Sequence, residues 1–175
     1  MLLAISACKQ PENAAPQAPE PGVAAPPGCG AAGFLKARVY GAISATLDWS
    51  GDDLKCEGMP RPEGRGARLL FTGSVGDRSI VIIVAMPELT RASADAELAS
   101  NITFIEEGGS RFFSTADLDV CITQIGSTEA LDDSGDRYSV SGSVYCVSPL
   151  AEVNGDSSIS LSELSFSGLL DWNAS

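Results

Sequence analysis

Apolar and polar residues alternate along residues 35–49, which predicts the first part of the folded domain. Small or apolar side chains occupy the odd positions: Leu35, Ala37, Val39, Gly41, Ile43, Ala45, Leu47 and Trp49. A period of two is typical of a β-strand with one buried face. The stretch is long for one strand, so we expect Gly41 to bend it or to divide it in two.

Pairs of strand-like stretches follow, each joined by residues that favour turns. Residues 67–74 and 79–86 flank Gly76-Asp77-Arg78, residues 101–106 and 111–115 flank Gly108-Gly109, and residues 118–125 and 138–147 flank an acidic loop. Short Gly- and Asp-rich connections are common in β-hairpins. Residues 79–86 are apolar almost throughout, which predicts a central strand that is covered on both faces.

Two other regions have distinct patterns. The residues after Cys56 are rich in Pro and Gly and predict a long loop. Residues 158–172 predict the last strand, and their apolar positions change phase between Leu161 and Leu164. Such a change indicates an extra residue in the strand, so we expect a β-bulge near Ser162-Glu163.

These patterns together predict about eight or nine strands with short turns and at most one short helix. We therefore expect an all-β domain over residues 31–175, folded as an antiparallel β-sandwich or small barrel. Leu47-Asp48-Trp49 and Leu170-Asp171-Trp172 end the first and last stretches. This echo favours first and last strands that are neighbours in one sheet, and chance repetition in a β-rich chain is the alternative.

Charge and composition restrict the partners. The chain of 175 residues has a net charge of −12 and contains no His. Nucleic acid is an unsuitable partner, because its phosphates need clustered Lys and Arg. The lack of His removes the commonest general base and zinc ligand. No apolar run reaches the about 20 residues of a membrane-spanning helix.

The first residues resemble a bacterial lipoprotein signal. Ile5-Ser6-Ala7-Cys8 is similar to the lipobox, in which small residues precede the cysteine that is lipidated. The resemblance implies a lipidated Cys8, and Lys9 after it implies the outer membrane. A basic region is missing and the apolar run is short, so we interpret residues 1–7 as a truncated signal peptide. A cytosolic start with a buried Cys8 is the alternative.

A Pro- and Ala-rich segment follows Cys8. Its prolines are Pro11, Pro16, Pro19, Pro21, Pro26 and Pro27. This composition cannot bury a core and favours extended polyproline conformation, at about 3.1 Å per residue. We interpret residues 8–30 as the lipidated cysteine and its tether, and a generic tail is the alternative.

The remaining cysteines are Cys29, Cys56, Cys121 and Cys146. An even number in an exported domain predicts two disulfides. If residues 118–125 and 138–147 form a hairpin centred near Asp133-Ser134, Cys121 lies directly opposite Cys146. That pairing leaves Cys29 with Cys56. A zinc site of four cysteines is the alternative, although no C-x-x-C pair is present.

Residues 152–163 contain the best candidate for a metal site. Oxygen-bearing side chains occur at Glu152, Asn154, Asp156, Ser160 and Glu163. The spacing resembles an EF-hand calcium loop, which wraps one cation in oxygen ligands. Glu152 replaces the usual Asp at the first position, and Ser157 replaces the turn glycine. The alternative is a hairpin turn at Asn154-Gly155-Asp156.

We expect a lipid-anchored cell-envelope lipoprotein of the outer membrane, facing the periplasm or the cell surface. Its β domain is predicted to be a non-enzymatic binding or structural module of unknown ligand. Its expected partners are the membrane, through the lipid anchor, and an envelope protein or glycan. One alternative is an envelope hydrolase that uses two of the many carboxylates. Another is a calcium-stabilised binding domain, for which calcium is the cofactor, whereas the main interpretation needs no cofactor.

Overall fold

A computed structural model gives the fold and describes residues 29–62 and 64–174. The predicted lipidation site Cys8 and most of the predicted tether lie outside these residues. The strands are β1 (Phe34–Gly41), β2 (Ala45–Ser50), β3 (Lys55–Pro60), β4 (Ala67–Val75), β5 (Arg78–Met86), β6 (Glu97–Glu106), β7 (Arg111–Ser114), β8 (Cys121–Ala130), β9 (Arg137–Cys146), β10 (Leu150–Glu152) and β11 (Ser158–Asp171). Single 3₁₀ turns lie at Gly51–Asp53 and Leu118–Val120.

The strands form one antiparallel sheet, which confirms the all-β class. Its order is β2-β1-β11-β10-β7-β6-β5-β4-β3, and β8 and β9 form a second connection from β6 to β11. Strands β2 and β3 therefore end the order. The sheet folds over itself, because β3 and β4 also pack against β11. This sandwich-like arrangement encloses the core between the two ends of a single sheet.

The alternation over residues 35–49 is confirmed as a strand pattern. Its side chains Leu35, Val39, Leu47 and Trp49 are buried. The stretch divides after Gly41, whose φ of 102° lies in the region that favours glycine. Strand β1 then pairs with β2 on one side and with β11 on the other, so the first and last strands are neighbours.

The predicted bulge in the last strand is also confirmed. The pairing of β1 with β11 shifts between Lys36 and Arg38. On β11, Glu163 has a φ of 54°. The extra residue changes the face to which side chains point, so Ile159 and Leu164 are both buried although they lie an odd number of residues apart.

The sheet contains eleven strands rather than eight or nine. One reason is that the long loop predicted after Cys56 begins instead as β3. Its residues include Gly58 and Pro60, which disfavour strands locally. Pairing with β4 along the whole of β3 supplies the backbone partners that the local sequence does not favour, from Lys55↔Thr72 to Pro60↔Ala67.

The prediction that residues 79–86 are covered on both faces is wrong for the outer face. Ile80, Ile82 and Val84 are buried, whereas Val81 and Ile83 on the other face are half-buried. Cross-strand neighbours shield that face in part, because Val81 lies opposite Ile105. A continuous apolar run therefore has two interpretations. Either the strand is covered on both faces by other layers, or its outer apolar side chains are shielded only by apolar neighbours on adjacent strands.

Close contact between β3 and β11 depends on glycine. A Cβ atom at Gly58 would lie 2.1 Å from the carbonyl oxygen of Leu169, and one at Gly168 would lie 2.8 Å from the ring of Phe71. Phe71 in turn packs on Phe166, with ring centroids 5.5 Å apart. Small residues at these two positions let the two layers approach until aromatic rings fill the space between them.

We expect Gly58→Ala to lower stability by about 1–3 kcal/mol, because the added methyl group meets backbone rather than a movable side chain. Gly126→Ala is the matched control, since its Cβ would lie 3.5 Å from Ser141 Oγ, an ordinary contact. Urea unfolding of oxidised protein measures both. Equal midpoints for the two variants would show that β3 does not lie against β11 as described.

Candidate functional site

The four cysteines of the domain form the predicted disulfides. Cys121 pairs with Cys146, and the two residues lie directly opposite each other in the β8–β9 register. Cys29 pairs with Cys56. The second bond attaches the beginning of the described chain to β3. Closing loops of this kind typically stabilises a fold by about 2–4 kcal/mol.

A mainly apolar cavity of about 210 Å³ lies beside β3, and we call it the β3 slot. Its lining residues are Cys56, Glu57, Gly58 and Met59 of β3, Arg137, Leu169, Leu170, Asp171 and Ala174. Small-molecule sites in proteins usually measure about 300–1,000 Å³. The β3 slot is therefore closer to the size of a single side chain than to that of a drug-sized ligand.

Three charged residues, Glu57, Arg137 and Asp171, line the β3 slot. Glu57 and Arg137 are exposed, and Asp171 is half-buried. Asp171 and Arg137 are opposite residues in the β9–β11 register. The sequence analysis singles out Cys56 as a disulfide cysteine and Leu170 and Asp171 in a repeated tripeptide, but it does not predict this site. A glycine inside a strand indicates close backbone approach, but the sequence pattern places Gly58 in a loop.

The five predicted calcium ligands are divided among strand β10, a turn and strand β11. Glu152 ends β10, Asn154 and Asp156 lie in the turn, and Ser160 and Glu163 lie on β11. An extended strand rises about 3.3 Å per residue, so β11 carries Glu163 away from the turn. Its carboxylate pairs instead with Arg38, at 3.1 Å. Within the described ranges, no three acidic or Cys residues form a group that could hold a metal ion.

Arg111 forms hydrogen bonds with residues on either side of the turn between β10 and β11, within the predicted calcium loop. Its Nε donates to Glu152 Oε1 at 2.9 Å, and its Nη2 donates to Ser157 Oγ at 2.9 Å. The guanidinium also lies 5.0 Å from the ring centre of Phe113. Its hydrogen bond, together with that from Ser157, lowers the pKa of Glu152, and Glu152 raises the pKa of Arg111. Sequence reasoning missed Arg111, because it lies 41 residues from its partner.

A buried carboxylate lies on the neighbouring hairpin. Glu106 is 6 % exposed and pairs with Arg78 at 2.9 Å. A buried carboxylate is costly unless a cation and hydrogen bonds compensate its charge. Both of these carboxylates, Glu106 and Glu152, are therefore held by an arginine on an adjacent strand.

A second, more open cavity of about 260 Å³ lies around Trp172. The Arg91 guanidinium is 5.0 Å from the centre of the Trp172 ring, and its Nε donates to the carbonyl oxygen of Gly135 at 3.0 Å. At the same cavity Arg65 binds both carboxylate oxygens of Glu88. The charges at this cavity thus already have partners within the chain.

Comparison with protein-family models, with curated proteins and with solved structures finds no match for this chain. In the part of the chain that the structure describes, no helix is long and apolar enough to cross a membrane.

The lowered pKa of Glu152 predicts a pH-dependent contribution to stability. Because the folded pKa lies below its ordinary value of about 4.3, the contribution is complete above that pH and is lost as the pH falls through the folded pKa. We expect Glu152→Gln to lower the urea midpoint at pH 7 and to match the parent protein at low pH. Glu163→Gln is the control, since the exposed Arg38–Glu163 pair contributes little. A deficit that does not change with pH would contradict the assignment.

Calcium binding at residues 152–163 stays a prediction. It requires the Glu152 carboxylate to release Arg111 and to bind the calcium ion instead. If calcium binds, the melting temperature rises with calcium concentration, and Glu163→Ala abolishes the rise. Differential scanning calorimetry with calcium and with magnesium measures this. An unchanged melting temperature in excess calcium would exclude the site.

Proposed function

We propose that this chain is a lipid-anchored lipoprotein of the cell envelope whose β domain is a non-enzymatic binding module on a Pro-rich tether. The observation that carries the proposal is the pairing of Cys29 with Cys56 and of Cys121 with Cys146. Such structural disulfides form and persist in oxidising compartments. Cys8, in the lipobox-like Ile5-Ser6-Ala7-Cys8, is then the lipid attachment site, and the outer membrane is the destination.

The tether and the surface charge support the same function. A Pro-rich segment of about 20 residues reaches about 60 Å when extended, at about 3.1 Å per residue. It allows the domain to meet a partner that is separate from the membrane to which Cys8 is attached. The net charge of −12 disfavours close adhesion to an anionic surface and favours a partner with positive charge.

The hydrolase alternative is less well supported than binding. A glycosidase needs two carboxyl groups in an open cleft, one of them with a raised pKa so that it can donate a proton. Here Arg111 and Ser157 lower the pKa of Glu152, which is the opposite direction. Arg78 pairs with Glu106, and neither glutamate lines the β3 slot or the Trp172 cavity. Two other carboxylates, Glu57 and Asp171, do line the β3 slot, where Asp171 lies opposite Arg137 in the β9–β11 register.

Intact mass of the membrane fraction tests the proposal. The gene is expressed with its in-frame upstream codons in a bacterial host. We expect a chain that begins at Cys8, carries a diacylglycerol group, and has four fewer hydrogens than the reduced chain because of the two disulfides. Cys8→Ser is the control and should leave the chain without lipid. An unmodified parent chain in the soluble fraction, with free thiols after denaturation, would refute the proposal.

A further inference from the structure

A third cavity, of about 320 Å³, lies at the corner where the chain passes from β2 to β3, and we call it the Trp49 cavity. Small-molecule sites usually measure about 300–1,000 Å³, so this cavity falls within their range and the β3 slot does not. The lining residues that concern its chemistry are Trp49, Asp52, Asp53, Lys55, Thr72 and Ser74.

The indole of Trp49 lies against β4 and forms one wall. Its Nε1 donates to the carbonyl oxygen of Ser74 at 3.0 Å. The ring packs on Gly73, where a Cβ atom would lie 2.3 Å from it. The hydrogen bond and this close packing fix the ring in one position, so the wall is apolar and rigid.

Three charged side chains line the Trp49 cavity without a partner of their own. Asp52, Asp53 and Lys55 are exposed, and in the described part of the chain none of them has a side-chain hydrogen bond or an ion pair. The Trp172 cavity differs in this respect, since Arg65 there binds Glu88. The Trp49 cavity thus presents two negative groups and one positive group to a ligand.

These charges select the class of ligand. An anion would meet two carboxylates, and a simple cation would meet the ammonium of Lys55. Among the described residues no three acidic or Cys side chains form a group that could hold a metal ion. A molecule with two cationic groups and one carboxylate matches all three charges, and lysine and arginine carry these groups at neutral pH.

The remaining surfaces of the cavity suit the same class. The methylene chain of a basic amino acid is apolar and complements the wall that Trp49 forms. The hydroxyl groups of Thr72 and Ser74 can donate to a carboxylate or accept from an ammonium group. The net charge of −12 also attracts a ligand whose own net charge is positive.

We propose that the Trp49 cavity binds a free basic amino acid of the lysine and arginine class. Asp52 and Asp53 bind its two cationic groups, Lys55 binds its carboxylate, and its methylene chain lies along Trp49. The inference rests on the proposed binding function and names the ligand class.

The two Trp residues of the chain supply a reporter and an internal control. Trp49 lines this cavity, whereas Trp172 lines the second cavity beside Arg91. Two-dimensional NMR follows both indole N–H signals of the isotope-labelled full chain, with Cys8→Ser to prevent lipidation and Trp172→Phe to assign them. We expect lysine or arginine, at pH 7 and constant ionic strength, to shift the Trp49 signal saturably and to leave the Trp172 signal unchanged.

Matched ligands test each charge of the amino acid. Norleucine lacks the side-chain ammonium of lysine, citrulline lacks the charge of arginine, Nα-acetyl-lysine lacks the α-ammonium, and lysine amide lacks the carboxylate. We expect each to bind about threefold or more weakly than its parent, as the loss of one exposed ion pair allows. Equal binding of Nα-acetyl-lysine would assign the cavity to a C-terminal basic residue of a polypeptide and would overturn the assignment to a free amino acid.

Protein variants test the location. Asp52→Asn with Asp53→Asn should weaken lysine binding about tenfold. The control, Asp117→Asn with Asp119→Asn, removes the same charge at the other 3₁₀ turn and should leave binding unaltered. Lys55→Met should weaken binding of lysine but not of lysine amide, because the amide has no carboxylate to lose. All these side chains are exposed, so the variants should melt as the parent does.

The other outcomes are equally decisive. Absence of a saturable Trp49 shift with either amino acid at about 10 mM, or equal weakening by the two double variants, refutes the site. Equal weakening of lysine and lysine amide by Lys55→Met refutes the carboxylate contact. The mass measurement is independent: a lipidated chain that does not bind the amino acids refutes this inference alone, and an unlipidated chain that binds them refutes the anchor alone.

Discussion

The rest of this structure depends on the close approach of β3 to β11. Two glycines, Gly58 and Gly168, face the opposite layer where a side chain would collide with backbone or with Phe71. Their lack of a Cβ lets β3, at one end of the strand order, and its neighbour β4 pack on β11, so that a single sheet encloses its own core. Gly58 and Leu169, which meet in this contact, also line the β3 slot. Stability and the β3 slot are therefore consequences of one packing constraint.

The disulfides reinforce this constraint rather than create it. Cys56 lies two residues from Gly58 on β3, and its bond to Cys29 restrains the strand at the start of the contact. The Cys121–Cys146 bond restrains β8 and β9, which connect β6 to β11. The first bond thus restrains β3 where it packs on β11, and the second restrains the two strands that connect β6 to β11. An oxidising compartment, which the proposed envelope location provides, is where such restraints persist.

Much of the sheet can be predicted from the sequence, because apolar and polar residues alternate along a strand that has one buried face. The alternation of residues 35–49, the bulge at Glu163 and the opposition of Cys121 and Cys146 all follow from local patterns and simple register. Strand β3 cannot be predicted in this way, since its residues disfavour a strand and only pairing with β4 imposes one. The candidate site was missed for the same reason, as most of its residues lie on β3 and on the part of β11 beneath it.

At residues 152–163, a local pattern of oxygen-bearing side chains has a hydrogen-bonding partner that is distant in the sequence. Oxygen-bearing residues at regular spacing resemble a cation loop, and in this structure the guanidinium of Arg111 donates to two of the residues in that stretch, Glu152 and Ser157. A fixed positive charge satisfies the Glu152 carboxylate as a metal would, without needing further ligands from β11. Glu163 is then free to pair with Arg38 and to occupy the bulge that returns Leu164 to the core. Local spacing indicates which polar side chains need a hydrogen-bonding or ionic partner, and the fold determines which residue provides it.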